Sequence, residues 1–233
     1  MTQEILTLQQ ILAHLEENSD PDSLIGMARV GITPADAFGT KIPILRSLAK
    51  KLGKNHSLAQ ELWSINKRET RILACMIDDP KLVTEEQLES WVVEFSYWEI
   101  CDQCILNLFE KTRFAYQKSY EWSERDEEYV KRAGFVLMAR LAFSDRISKD
   151  EKLVTFIPII KRQISDERTT VKKAISWALR EMGKRSLQLN KYIIELATEL
   201  LKSESKATRW VANDVLNDIT RESVLQKLNI NKF

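Results

Sequence analysis

The stretch YWEICDQCILNLF (97–109) sets Trp98 four residues ahead of Asp102, a spacing that puts both on one face of a helix. Four other segments begin their apolar run with the same local pattern: KRETRILACMI (67–77), YVKRAGFVLMARLAF (129–143), TTVKKAISWALREMG (169–183) and KATRWVANDVLNDI (206–219). The last again carries a tryptophan and an aspartate in helical alignment. With Arg71, Asp102, Arg132, Lys173 and Arg209 taken as equivalent, the steps are 31, 30, 41 and 36 residues. A self-similar period in this range, with helical spacing inside each unit, is the signature of stacked helix pairs. The reading is an all-α protein, a right-handed superhelical solenoid of roughly six helix pairs. Its inner helices line a concave basic face, which presents cations, two indoles and one carboxylate.

Composition supports long helices. The 233 residues include six glycines and five prolines, and 30% of residues are charged, which disfavours an architecture built on many tight turns. A solenoid needs no internal domain break, because each repeat touches only its neighbours, so residues 1–233 are read as one domain. No run approaches the roughly 18 apolar residues of a membrane span, and the longest apolar stretch, Ala133 to Phe143, is interrupted by Arg140. The opening MTQEILTLQQ lacks a basic segment followed by an apolar core. Three cysteines, an odd number, suit a reducing compartment. The expectation is a soluble, cytoplasmic monomer with no cofactor. The formal charge of +1 conceals an asymmetry: residues 1–128 hold 14 Lys+Arg against 22 Asp+Glu, whereas residues 129–233 hold 21 against 12. A basic half can recruit a polyanion although the whole chain is nearly neutral, and the alternative is that these charges merely solvate helix surfaces.

Local signals punctuate the helices. Residues 4–17 read as an amphipathic helix with Ile5, Leu8, Ile11, Leu12 and Leu15 on one face. Asn18 to Ser23 reads as a turn, and residues 24–40 as a segment broken by Gly26, Gly31, Pro34 and Gly39. Pro43 suits the first turn of a helix that stops at Gly53. Ser57 reads as the next N-cap, and Thr84 with Gln87 as a capping box. Further boundaries fall near Thr112, Ser123–Glu128, Ser144–Lys149, Ser165–Thr169, Gly183–Ser186 and Ser203–Ser205.

Several chemistries lack their residues. His14 and His56, the two histidines, read as solvent-exposed, so a Ser-His-Asp or Cys-His arrangement has no support. Cys101 and Cys104 form one CxxC with no second ligand pair, which describes small buried residues of a helix better than a metal site. No glycine-rich phosphate cradle occurs, which argues against a nucleotide cofactor. What remains is an indole beside a carboxylate, Trp98 and Asp102, a pair suited to a cationic ligand. Lys173, Trp177, Arg180 and Lys184 follow one another at spacings of four, three and four, and Arg132 and Arg140 lie two turns apart. The plainer account makes the tryptophans core residues and pairs Asp102 with Arg132.

Four strings, GTKIPILRSLAKKLG (39–53), YWEICDQ (97–103), YVKRAGFVLMARL (129–141) and VKKAISWALREMGK (171–184), resemble in order the AlkD branch of the bacterial DNA-alkylation-repair family. The resemblance spans roughly residues 25–215. It implies a HEAT-like solenoid that excises positively charged alkylpurines from duplex DNA without flipping the base. By motif it implies that Trp98 is the first aromatic wall, Asp102 the catalytic carboxylate, Arg132 the central arginine and Trp177 the second aromatic wall. Arg140 and Arg180 fall on basic positions facing the DNA backbone; Lys173, Lys184 and Arg209 extend that surface. The implied partner is duplex DNA containing alkylated bases. Two departures stand out: Met27-Ala28-Arg29-Val30 where the family often has Met-Ala-Arg-Tyr, and Tyr97-Trp98 where it has Trp-Trp. Two other readings fit the same pattern. One is a non-catalytic solenoid that binds damaged or branched DNA, the other a HEAT scaffold for a protein partner.

Overall fold

The structure, a computed structural model, describes residues 6–230, and all regular elements among them are helical. It divides between Thr112 and Arg113 into two compact units. The first contains α1 (Leu8–Glu17), α2 (Pro21–Arg29), α3 (Ile42–Leu52), α4 (His56–Ser64), α5 (Arg68–Ile77), α6 (Glu85–Val92) and α7 (Trp98–Asn107), with short 3₁₀ turns at Pro34–Asp36 and Phe109–Lys111. In the second are α8 (Ala115–Ser123), α9 (Glu128–Ser144), α10 (Asp150–Val154), α11 (Ile157–Gln163), α12 (Thr169–Gly183), α13 (Leu187–Leu200), α14 (Lys206–Ile219) and α15 (Glu222–Ile230).

The repeat register is visible in where each helix begins. Arg71 and Arg209 are the fourth residues of α5 and α14; Asp102, Arg132 and Lys173 are the fifth residues of α7, α9 and α12. In the first unit α5 packs against α7 with α3 and α4 behind it, and in the second α9, α12 and α14 pack in series, flanked by α8 and α13. This nearest-neighbour stacking is what a solenoid requires. Helix α9 is apolar nearly all round, as the central element of such a stack must be. Gly134 lets it approach α8: a Cβ there would lie 2.3 Å from the backbone nitrogen of Ser123. In the first unit Trp63 of α4 stacks on Trp91 of α6, with ring centroids 3.9 Å apart and planes 3° from parallel. Such a pair contributes about 0.5–1.5 kcal/mol beyond its buried area.

Most boundaries fall where the sequence placed them, and the exceptions have local causes. Helix α1 starts at Leu8 rather than residue 4, because Thr7 and Gln10 form a capping box; Ile5 lies outside the described residues. Asn18 to Ser23 is only half a turn. Asp20 caps α2 with its side chain and Pro21 takes the first helical position, so a helix runs on through Gly26. A single glycine weakens a helix by about 1 kcal/mol without ending it. Helix α3 does stop at Gly53, whose φ is 67°. Asn55, not Ser57, caps α4 by accepting the Leu58 N–H at 3.1 Å. Thr84 caps α6, but Gln87 makes no reciprocal bond. Its Nε2 turns instead to the buried Asp78 carboxylate at 2.7 Å. His56 is correspondingly not a free surface residue, since its Nδ1 lies 2.6 Å from the other oxygen of Asp78.

Candidate functional site

The first turn of α7 is held by charge. Arg68, at the start of α5, makes two bonds to Glu99 of α7, 2.7 Å from Nε and 2.8 Å from Nη2. Its Nη1 also donates to Glu69 at 2.9 Å and to the carbonyl of Thr40 at 3.0 Å. Glu69 is wholly buried and accepts the backbone N–H groups of Phe38 and Gly39 at 2.8 and 3.0 Å. Burial works against the charge on Arg68, but Glu99 and Glu69 more than offset it and hold its pKa above the usual guanidinium value. The network therefore fixes the 38–40 segment, α5 and the first turn of α7 as one piece. Breaking such a set by removing one partner costs about 3–5 kcal/mol, because the remaining charges stay buried.

Trp98 begins the helix so fixed. It is 38% exposed, and its indole N–H donates to the carbonyl of Val30 at 3.3 Å. Position 30, where the chain departs from the family's tyrosine, thus lies directly beside this indole. Asp102 follows one turn later on the same face and is half-buried. Tyr97, which precedes Trp98, is buried, and that burial pushes its phenol pKa up. Cys101 and Cys104 are buried in α7, as Cys75 is in α5. Burial, then the neighbouring Cys75, raises the Cys104 thiol pKa well above its ordinary value. Among the described residues no group of three or more His, Cys, Asp or Glu is placed to hold a metal ion.

In the second unit the expected basic residues occupy different settings. Arg132 is only 6% exposed, and its Nη1 donates to the carbonyl of Thr170 at 2.6 Å, tying α9 to the start of α12. It is part of the packing rather than of an open surface. Arg140 lies over the ring of Phe143, 4.8 Å from its centroid. Lys173 is exposed and Trp177, one turn along α12, is half-buried. Arg180 lies 3.5 Å from Asp214 and 3.6 Å from Asp218, while Lys184 bridges Asp218 at 2.6 Å and Glu181 at 3.2 Å. The C-terminal part of the α12 stripe is thus matched by carboxylates of α14. Arg209 braces the preceding loop by donating to the carbonyls of Ser203 and Glu204 at 2.6 and 2.8 Å.

The sequence reading overlooked the Arg68–Glu69–Glu99 network and left Trp210 without a role. Trp210 is 37% exposed, with the Lys172 ammonium 5.2 Å from its ring centroid. Its spacing to Asp214 repeats that of Trp98 to Asp102 and was the available signal; Asp214 accepts the Ser176 hydroxyl at 2.5 Å. Of the six tryptophans, Trp63, Trp91 and Trp122 are buried, whereas Trp98, Trp177 and Trp210 reach solvent from α7, α12 and α14.

A helical-repeat protein with solvent-facing indoles on its repeat helices is the class these observations define. The family model described as DNA alkylation repair enzyme matches residues 11–192, and the chain belongs to that family. It is similar to two proteins called uncharacterised, Lin0241 of Listeria innocua and Lmo0209 of Listeria monocytogenes. The first is 23% identical over 85% of this chain and 88% of its own length. The second is 24% identical over 70% and 72%. Among solved structures, one described as a new family of proteins related to the HEAT-like repeat DNA glycosylases with affinity for branched DNA structures superposes with a TM-score of 0.77. It is 18% identical, over 91% of this chain and 95% of the other, and establishes the HEAT-like fold. Among the described residues no helix is long and apolar enough to cross a membrane.

Proposed function

We propose that the protein is a DNA glycosylase that excises positively charged N3- or N7-alkylated purines from duplex DNA. The observation that carries this reading is the sorting of the tryptophans. Three serve the core, while Trp98 and Trp177, the two the family resemblance nominates as aromatic walls, remain open to solvent. An alkylated purine already bears a positive charge, so its glycosidic bond breaks without protonation of the leaving base, and no histidine is required for the task. Departure of the base leaves an oxocarbenium-like sugar. Asp102 stabilises that charge and positions the water that adds to the anomeric carbon. The indole of Trp98, on the same helix face as Asp102, packs on the sugar and contributes cation–π attraction of about 0.5–2 kcal/mol. Precision at Trp98 is supplied by the Arg68–Glu99 clamp on its helix. The base departs from its stack, without flipping, as water adds to the sugar.

A second reading, a DNA-binding protein without catalysis, is favoured by the affinity for branched DNA ascribed to the structurally similar family. Incubation with duplex DNA containing 7-methylguanine separates the two. Free base is the product expected of the glycosylase, and binding without release would select the alternative.

A further inference from the structure

The turn between α9 and α10 exposes its most apolar residue. Ile147 is 98% exposed, and Phe143, in the last turn of α9, is 49% exposed. Scattered apolar residues on protein surfaces are ordinary; this one stands out because the backbone carrying it is held from every side. The Asp145 carboxylate accepts the N–H groups of Ile147 and Ser148 at 3.0 and 2.9 Å, and its other oxygen accepts the Tyr116 hydroxyl at 2.6 Å. Burial alone would raise the pKa of Asp145, but the Ser148 hydroxyl, then the Tyr116 hydroxyl and the two backbone N–H groups, hold it well below the usual carboxylate range. From the end of α12, the nearly buried Arg185 donates to the carbonyls of Ala142, Asp145 and Ser148 and pairs with Asp150 at 3.1 Å. One arginine thus closes both ends of the turn. A short turn with this many internal bonds presents a fixed projection.

The surroundings of the projection are cationic. The guanidinium groups of Arg140 and Arg146 lie 4.8 and 5.6 Å from the centroid of the Phe143 ring, and Arg146 and Lys149 flank Ile147 as exposed residues. Arg185 also joins the turn to the end of α12, where Arg180 and Lys184 lie. A rigid aliphatic tip flanked by exposed Arg146 and Lys149 is poorly matched to water and well matched to a nucleic-acid groove, where apolar side chains enter between base steps and cations take the phosphates. We propose that Ile147 is a wedge that enters the stack of bound DNA at a weakened step, such as a damaged pair or a branch point, with Arg146 and Lys149 on the flanking phosphates. This rests on the DNA-binding part of the function proposed above.

The test uses the full chain and DNA carrying 2-aminopurine, whose fluorescence rises on unstacking, either beside the branch point of a three-way junction or within a fully paired duplex. The native protein is expected to raise the fluorescence of the junction on binding. Ile147→Ser should melt like the native protein, since the side chain touches almost nothing, yet bind the junction about tenfold more weakly and leave its fluorescence unchanged. Ile147→Leu should restore both. Binding of native protein without a fluorescence rise, or a serine variant indistinguishable from native, would overturn the wedge. Base release from 7-methylguanine DNA, scored separately, tells the two ideas apart. Release with no unstacking sinks the wedge alone, and unstacking with no release sinks the glycosylase reading alone.

Discussion

The helix bearing Trp98 and the helix bearing Trp177 present the same side chain in opposite electrostatic settings. In the first unit the cation beneath the indole's helix, Arg68, is buried and fully committed to Glu69 and Glu99. In the second, the cations that follow Trp177, Arg180 and Lys184, are about a third exposed and held by carboxylates on the neighbouring α14. A network whose cation is buried fixes geometry, whereas Arg180 and Lys184 keep part of their side chains in water although their shared partner Asp218 is buried. One setting is suited to holding an indole and a carboxylate in place for chemistry. On the proposed function, the other is where cations now shared with Asp214 and Asp218 would meet phosphates.

The contrast fails first, if it fails, at Arg68. Arg68→Met should cost about 3–5 kcal/mol of stability, because the wholly buried Glu69 and the largely covered Glu99 lose their cation. Urea unfolding measures it, and a loss below about 1 kcal/mol would show that the clamp is not what fixes α7. Next comes Asp102→Asn, which should lower base release by about 10²–10³-fold while leaving DNA affinity equal or higher, as followed by single-turnover release and by anisotropy. In the second unit Lys173→Ala and Arg140→Ala should each reduce the slope of log affinity against log salt by about one. Arg132→Ala should instead destabilise the fold and leave that slope alone, since its guanidinium is spent on Thr170. The smallest effect sharpens the comparison. Asp214→Asn with Asp218→Asn should tighten DNA binding several-fold at low salt, by freeing Arg180 and Lys184, and the gain should fade as salt is raised. Weaker binding would mean that these carboxylates position the cations rather than restrain them.

How much of this the sequence disclosed depends on the range of the interaction. The period from Arg71 to Arg209 was legible because it repeats helix by helix, and Pro43, Gly53 and Thr84 act within one turn. Helix α2 was hidden because Gly26 reads as a breaker when Asp20 and Pro21 are not recognised as a start. The Arg68 clamp was invisible: Glu99 is 31 residues away, and no local pattern announces which charge finds which. Arg132 shows the same limit from the other side. Its helical position was read correctly, but whether a cation in an apolar helix faces solvent or a carbonyl of the next repeat is decided by packing. Ile147 stood in a turn whose Asp145 is a local signal, but nothing local says that Arg185, 37 residues beyond Ser148, closes it.

The central claim is that an anion beside a π face stabilises the sugar from which an already charged base departs. It is tested most directly by presenting the native protein with matched duplexes containing 7-methylguanine or hypoxanthine and measuring free base from each. Release of 7-methylguanine with little or no hypoxanthine is the predicted result, and Trp98→Ala or Trp177→Ala should slow only the former. Comparable release of both bases, or release of neither, would contradict the account.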